Sequence, residues 1–368
     1  MKTLIYFSAY SYYDIFKQRF FHMLPYLQND FDEIIIIDAI SSYKDKIIGL
    51  KNNIFFPNSL KLIDNFENVF VYRHFLTIPN KICVKFPILY KLNYFFLKKA
   101  IKKLSDHFLN SETIIGTSHP YMYNGVFEVF RDYRTFYDCP DLHEEFPWAN
   151  KKTSIKLEKN IINDVKVFTC SSNFISKVRH EQMGRLAKVI SNGVTVKDFQ
   201  DNDHINVDKN KVGYVGALED WFDFQLLDLI LSDMKEINFE IIGNVPTNKI
   251  QIVQKLISKH ENVKFTGQIK HNELIEHMKY WKVGIIPFKM NKLISGVSPI
   301  KLFEYCSVGI ETVSLYWDEL DYYKGYIYTA NNNFDFLKLL KETFVKNLNE
   351  TRIKELKEFA YENSWENK

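Results

Sequence analysis

Along the 368 residues, short apolar runs alternate with longer stretches in which apolar positions recur every three to four residues, and they do so in both halves of the chain. That alternation predicts strands and helices in turn, which is the pattern of parallel α/β sheets. In the first half the runs at 4–7, 34–37, 69–72, 113–115, 135–137, 167–170 and 188–190 are predicted strands. In the second half the strands fall at 212–215, 239–242, 263–265, 283–286 and 311–314, separated by helices such as 249–259 and 272–281. The expected fold class is α/β, with two open, doubly wound, Rossmann-like sheets. Residues 200–211, Q-D-N-D-H-I-N-V-D-K-N-K, are polar and lack a helical period, so they read as a linker. They divide the chain into a domain over 1–199 and a domain over 212–333. Residues 334–368, rich in Lys, Glu and Leu, form an expected helical tail, interrupted near Asn363 and packing back on the N-terminal domain.

Composition agrees with a globular chain of two domains: 46% hydrophobic, 25% charged, and an aromatic share of 16% that is high. Cys83, Cys139, Cys170 and Cys306 are widely spaced, which points to free thiols in a reducing, cytoplasmic setting. The opening residues read as a first strand, not a signal peptide. No window approaches the roughly 18–20 apolar residues a bilayer span needs. The net charge is only +3, yet between Tyr72 and Leu104 there are eight Lys or Arg and no Asp or Glu. Lys98, Lys99, Lys102 and Lys103 close this stretch, and Phe75, Phe86, Tyr90, Tyr94, Phe95 and Phe96 are interleaved with its basic residues. One reading is a solvated helix whose aromatic residues pack inward. Another is a peripheral contact with anionic membrane. Nucleic acid is disfavoured because no recognition module accompanies the charge.

Ligands of open α/β sheets bind beyond the carboxyl ends of strands, so the loops there hold the candidate chemistry. After Pro287, the segment V-S-P-I-K-L-F-E-Y has Ser298 at an expected N-cap, Pro299 at the first helical position, and Gly309 just past the end. The N–H groups of such a helix would favour a diphosphate. Lys301 and Glu304 share a face, the lysine suited to phosphate and the carboxylate to ribose hydroxyls, although this spacing also describes an ordinary surface pair. After the strand at 135–137, D-C-P-D-L-H-E-E-F supplies four carboxylates and a histidine, as candidates for a general base or for helix caps. His119 in T-S-H-P and Trp221 are candidates for the acceptor or sugar, or for packing. The D-x-D matches at Asp30 to Asp32 and Asp201 to Asp203 are badly placed for a divalent cation. There is no Walker A, no G-x-G-x-x-G and no Cys/His cluster for zinc, and no metal or other cofactor is expected.

The run S-P-I-K-L-F-E-Y-C-S-V-G, preceded by V-G-I-I-P-F, resembles the donor-site signature of bacterial GT-B glycosyltransferases. S-N-G-V at 191–194, G-Y-V-G-A-L-E-D-W-F-D at 213–223, N-V-K-F-T-G at 262–267 and N-S-W-E at 363–366 match further elements in order. The resemblance implies two Rossmann-like domains facing a cleft. It implies Glu304 on the ribose, Lys301 near the phosphates, Ser298, Pro299 and Ile300 around the diphosphate, and Gly216 and Ala217 where the donor approaches the backbone. Gly296 stands where retaining families carry a second glutamate, and G-A-L-E-D-W lacks their Arg and Lys, which favours inversion. The pattern resembles the branch of glucuronosyltransferases and teichuronic-acid enzymes, in which Asp141 matches an aspartate and becomes the first choice of base, with Asp138 and His143 next. The expected activity is metal-independent transfer of a hexosyl or glucuronosyl group, from a UDP-linked nucleotide sugar, to a surface polysaccharide or lipid-linked glycan. The alternatives are an inactive nucleotide-sugar-binding partner in a glycan assembly complex, or a sugar-nucleotide 2-epimerase of the same fold.

Overall fold

The computed structural model describes residues 1–8, 12, 19–40, 60–75, 78, 80–86, 88–104, 108–120, 126–147, 149–196 and 209–368. They form two compact units, Met1–Ile190 and Ser191–Lys368. The first unit therefore ends nine residues before the expected boundary, and S-N-G-V belongs to the second. Of the expected linker, 200–208 lie outside the described residues, and Lys211 already opens a strand.

The first unit is built from β1 (Thr3–Ser8), α1 (Arg19–Leu27), β2 (Glu33–Ile40), β3 (Leu60–Leu62), β4 (Val69–Phe75), α2 (Asn80–Lys85), α3 (Ile88–Leu104), β5 (Ile114–Thr117), α4 (Val126–Val129), β6 (Arg134–Cys139), α5 (Lys151–Asp164), β7 (Val167–Cys170), α6 (Asn173–Met183) and β8 (Lys188–Val189). Its strands lie in the order β3-β4-β2-β1-β5-β6-β7-β8, parallel except that β3 runs against β4. Because strand side chains alternate between faces, β1 and β2 feed two cores. Ile5, Phe7, Ile35 and Ile37 join Tyr94, Leu97 and Ile101 of α3 and Ile161 of α5. Leu4, Tyr6, Ile34 and Ile36 join Phe20, Phe21 and Leu24 of α1. Each such buried side chain contributes about 1.5–3 kcal/mol. Asn150 caps α5 by accepting from the Thr153 amide, and Ser172 caps α6 through the Ile175 amide.

The second unit contains β9 (Lys211–Val215), α7 (Phe224–Asp233), β10 (Asn238–Ile242), α8 (Ile250–Lys259), β11 (Val263–Gly267), α9 (Leu274–Met278), β12 (Trp281–Ile286), α10 (Lys292–Ser295), α11 (Ile300–Ser307), β13 (Glu311–Leu315), β14 (Tyr328–Ala330), α12 (Asn333–Val345) and α13 (Glu350–Glu362). Its sheet is parallel, in the order β11-β10-β9-β12-β13-β14. The expected helix at 272–281 stops at Met278 and Trp281 begins a strand, because the indole is fully buried and donates to Glu240. The tail folds onto this same unit: Phe359 of α13 packs on Phe303 and stacks on Tyr326, and Arg352 pairs with Glu311 at 2.8 Å.

In both sheets the strand order reverses beside the first strand, between β1 and β5 and between β9 and β12. The loops at the carboxyl ends of those strands are the natural ligand positions.

Candidate functional site

In the second unit, the loops after β9, β10 and β11 are laced together. The Gly216 amide donates to Ile242, Leu218 to Asn244, and Gly243 to Gly267. Gly243 must lack a side chain, since a Cβ there would stand 1.8 Å from the Gly216 carbonyl oxygen. The loop after β12 joins the array through Asp223 to Pro287 (2.8 Å) and Lys289 to Trp221 (2.7 Å). Trp221 is half-buried against the core of this unit. The Tyr214 hydroxyl donates to the Ala217 carbonyl at 3.0 Å.

Into this array α11 delivers Lys301. Its ammonium lies 5.1 Å from the centre of the Phe288 ring and 5.6 Å from that of Tyr214, and a Cβ on Gly216 would come within 2.8 Å of it. Burial pulls the Lys301 pKa down, opposed by the charge of Glu304. The Tyr214 phenol is held well above its usual range by burial, then by Tyr305 and Glu304. Lys301, Glu304, Gly216 and Ala217 are thus brought together at the carboxyl edge, beside the strand reversal.

The start of α11 departs from the sequence reading. Ser298 is not the cap: Pro299 occupies that position, with no side-chain capping bond. The Ser298 hydroxyl instead accepts the Asn192 amide at 3.0 Å, and its carbonyl accepts Asn192 Nδ2 at 3.1 Å. Pro299 has no N–H, and the Ile300 amide donates to Ser298. The Ile300 amide is thus turned back onto Ser298, and the Lys301 ammonium is the charged group that the first turn of α11 presents. At its other end α11 behaves as read. Gly309 adopts φ 65°, and the Gly309 and Ile310 amides bond back to Cys306 and Tyr305, which is a Schellman closure. The motifs S-N-G-V and N-S-W-E meet as well, Val194 exchanging amide bonds with Asn363 and Trp365, each at 3.1 Å.

In the first unit, Asp138 and Cys139 end β6, one strand away from the reversal, and P-D-L-H-E-E-F follows them. Asp138 and Asp141 cap no helix: the short 3-10 turn His143–Glu145 begins at Leu142 without a side-chain cap, and α5 uses Asn150. Asp138 is committed, with Arg19 Nε at 2.9 Å and the Thr169 hydroxyl at 2.8 Å. Burial pushes the Asp141 carboxyl up to about 6, with Arg19 lowering it and Asp138 raising it. His143 is buried and held well below the usual imidazole range, first by burial and then by His119. The ring of His119 packs edge-on against it at 5.2 Å and is lowered to about 4 by burial. Both histidines are neutral near pH 7, and Asp141 has the ionisation a base needs there.

Beneath the loop lies a network that the sequence reading missed. Arg179 of α6, fully buried, forms a two-pronged pair with Glu144 (2.7 Å twice) and also reaches Glu158 (3.0 and 2.7 Å). Glu158 further accepts from the Tyr137 hydroxyl and the Cys139 thiol. Cys139, His143 and Glu158 have ligand atoms within 4.8 Å of one another. However, Arg179 occupies both Glu158 oxygens, and burial drives the thiol well above its usual range, so these groups serve as structure. A signal existed: Arg179 stands at helical spacing between the apolar Ile175 and Met183, on a stripe where a charge needs a buried partner. Arg19, 119 residues from Asp138, had none.

No family model matches the sequence. A Bacillus subtilis (strain 168) protein provisionally named as a teichuronic acid biosynthesis glycosyltransferase is 26% identical over 199 residues, 48% of this chain and 49% of that protein. The chain thus spans about half the length of the curated relative it matches. Among solved structures, sucrose-phosphate synthase of Thermosynechococcus elongatus aligns with TM-score 0.69 and 12% identity, over 99% of this chain and 96% of the other. HepE of Anabaena, in complex with UDP and glucose, aligns with TM-score 0.63 and 12% identity, over 98% and 95%. These likenesses and the two parallel sheets establish the expected GT-B fold.

Proposed function

We propose that the chain is a glycosyltransferase that takes a hexosyl or glucuronosyl group from a UDP-linked donor and passes it, with inversion, to a surface polysaccharide or lipid-linked glycan. The observation that carries this is the convergence of Lys301, Glu304 and the Gly216–Ala217 backbone at the strand reversal of the second unit. A cation held against aromatic faces and partly stripped of water is suited to the charge that develops on a leaving diphosphate; in this reading it supplies that charge without a metal or other cofactor. Glu304, one helical turn along, accepts the ribose hydroxyls. Asp141 takes the proton from the acceptor hydroxyl. The half-length likeness to the B. subtilis protein and the UDP bound to HepE support the donor and the acceptor class. Titration calorimetry with UDP tests the donor site. Glu304→Ala is expected to weaken UDP binding by about 10-fold or more, the loss of hydrogen bonds to a charged group, and unchanged affinity would remove Glu304 from the site.

The lipid-linked acceptor extends the proposal to peripheral attachment at the cytoplasmic face of a membrane. No helix among the described residues is long and apolar enough to cross one. On α3, Ile88, Leu92, Phe95 and Phe96 are exposed, on the same side as Lys99, Lys102 and Lys103, while Tyr94, Leu97 and Ile101 pack inward. Phe86, 60% exposed, extends the apolar surface from the end of α2. The aromatic residues at 86, 95 and 96 do not pack inward, and basic heads beside exposed rings suit an anionic bilayer surface. Lys98 leaves the patch: it donates to the Val129 carbonyl at 2.9 Å and lies over Phe130 and Tyr133. In sedimentation with vesicles containing phosphatidylglycerol, K99E/K102E/K103E is expected to cut binding by about 100-fold or more, each lysine contributing about 1 kcal/mol. Equal sedimentation would end the membrane reading.

A further inference from the structure

Asp138, near the end of β6, and Asp141, three residues on in the loop that follows, have different surroundings. Asp138 is fixed on both oxygens, Oδ2 by Arg19 and Oδ1 by the Thr169 hydroxyl of β7. Arg19 opens α1, is buried, and also donates to the Ile190 carbonyl, so it ties the end of β6 to the chain beyond β8. The backbone between the two aspartates is held by the residue that follows β7. The Pro140 carbonyl accepts the Ser171 hydroxyl at 2.6 Å.

We infer that Arg19, acting through Asp138, is a positioning residue for Asp141: it fixes the loop that carries the base and the charge balance beside it. This rests on the reading of Asp141 as the base. Among the described residues, the charged groups acting on Asp141 are Arg19 from α1 and Asp138 from the end of β6. His143 on the 3-10 turn and His119 on the loop after β5 are neutral, and the Arg179 charge of α6 is matched by Glu144 and Glu158. The pair therefore acts on Asp141 with opposite signs, and removing one partner exposes the other. A positive charge nearby favours the carboxylate and a negative one disfavours it, each typically by a pH unit or more when close.

The experiment follows the Asp141 carboxyl carbon by 13C NMR in full-length protein labelled at aspartate, identifying its resonance as the one missing from Asp141→Asn. Arg19→Gln is expected to move the titration midpoint up by about one pH unit, and Asp138→Asn to move it down by a similar amount. The double variant should return it toward the starting value. Arg19→Lys keeps the charge and should leave the midpoint in place, which separates charge from damage to the fold. Midpoints that stay put in both single variants, or move the same way, would overturn the inference. Failure of Asp141 as the base is seen separately, as full donor turnover by Asp141→Asn, whatever the titration shows.

Discussion

Asp141→Asn is expected to lower turnover by about 10²- to 10⁴-fold, the usual contribution of a general base, with UDP affinity unchanged. The substitution keeps the size and hydrogen-bonding shape of the side chain but removes its ability to take a proton, and the nucleotide is assigned to the other unit. The choice among the three candidates follows from their surroundings. Asp138 is bound to Arg19 and Thr169. His143 is buried and held well below its usual range. Asp141 is pushed up to about 6 by burial, so it is mostly ionised at pH 7 yet more basic than a solvated carboxylate. In the parent protein, kcat/KM should accordingly fall as pH drops through about 6, because protonation removes the base. Initial rates of donor consumption, measured from pH 5 to 8, check both parts. Turnover by the variant within a few-fold of the parent would sink the assignment.

The second large effect concerns stability. Arg179→Met is expected to destabilise the first unit by about 3–5 kcal/mol, the usual result of removing one partner from a buried ionic network. Arg179, Glu144 and Glu158 have fully buried side chains, and the guanidinium spans both carboxylates with a geometry that lysine cannot reproduce. Without it, two carboxylates are left in the interior. Burial already raises the Glu158 pKa, and Arg179 is the largest opposing influence. In the variant that carboxyl should rise further. A carboxyl whose folded pKa exceeds its unfolded value favours folding at low pH, and that advantage is lost as pH rises through the folded pKa. The deficit of Arg179→Met should therefore be greatest near neutral pH and shrink as pH falls toward the unfolded glutamate range of about 4.3. Urea denaturation of parent and variant at pH 5 and pH 8 reads this directly. A deficit that is the same at both pH values would mean the buried carboxylates are not its source.

These effects also divide what could be read early from what could not. The sheets were legible because a parallel strand buried on both faces must be apolar along its length, as I-I-I-I at 34–37 is. Of the strands, β3 and β14 went unread: L-K-L and Y-T-A at the sheet edges contain no apolar run. The end of α11 was legible because Gly309, at φ 65°, is a local requirement of the backbone. Its beginning was misread, since Ser298 looks like a cap locally and its partner, Asn192, is 106 residues away. A side chain with two competing partners is decided by whichever the fold brings within reach.

The sequence by itself determined the class of fold, the loops at the carboxyl edge of the sheets, and the helix on which Lys301 and Glu304 share a face, because each follows from periodicity or from spacing within one element. Only the tertiary structure decided that the tail belongs to the second unit, that Lys98 turns inward, and that Asp138 is held by Arg19 while burial raises Asp141 to about 6. The reason is physical: burial and electrostatics act through space, and residues distant along the chain leave no trace of their meeting in its local pattern.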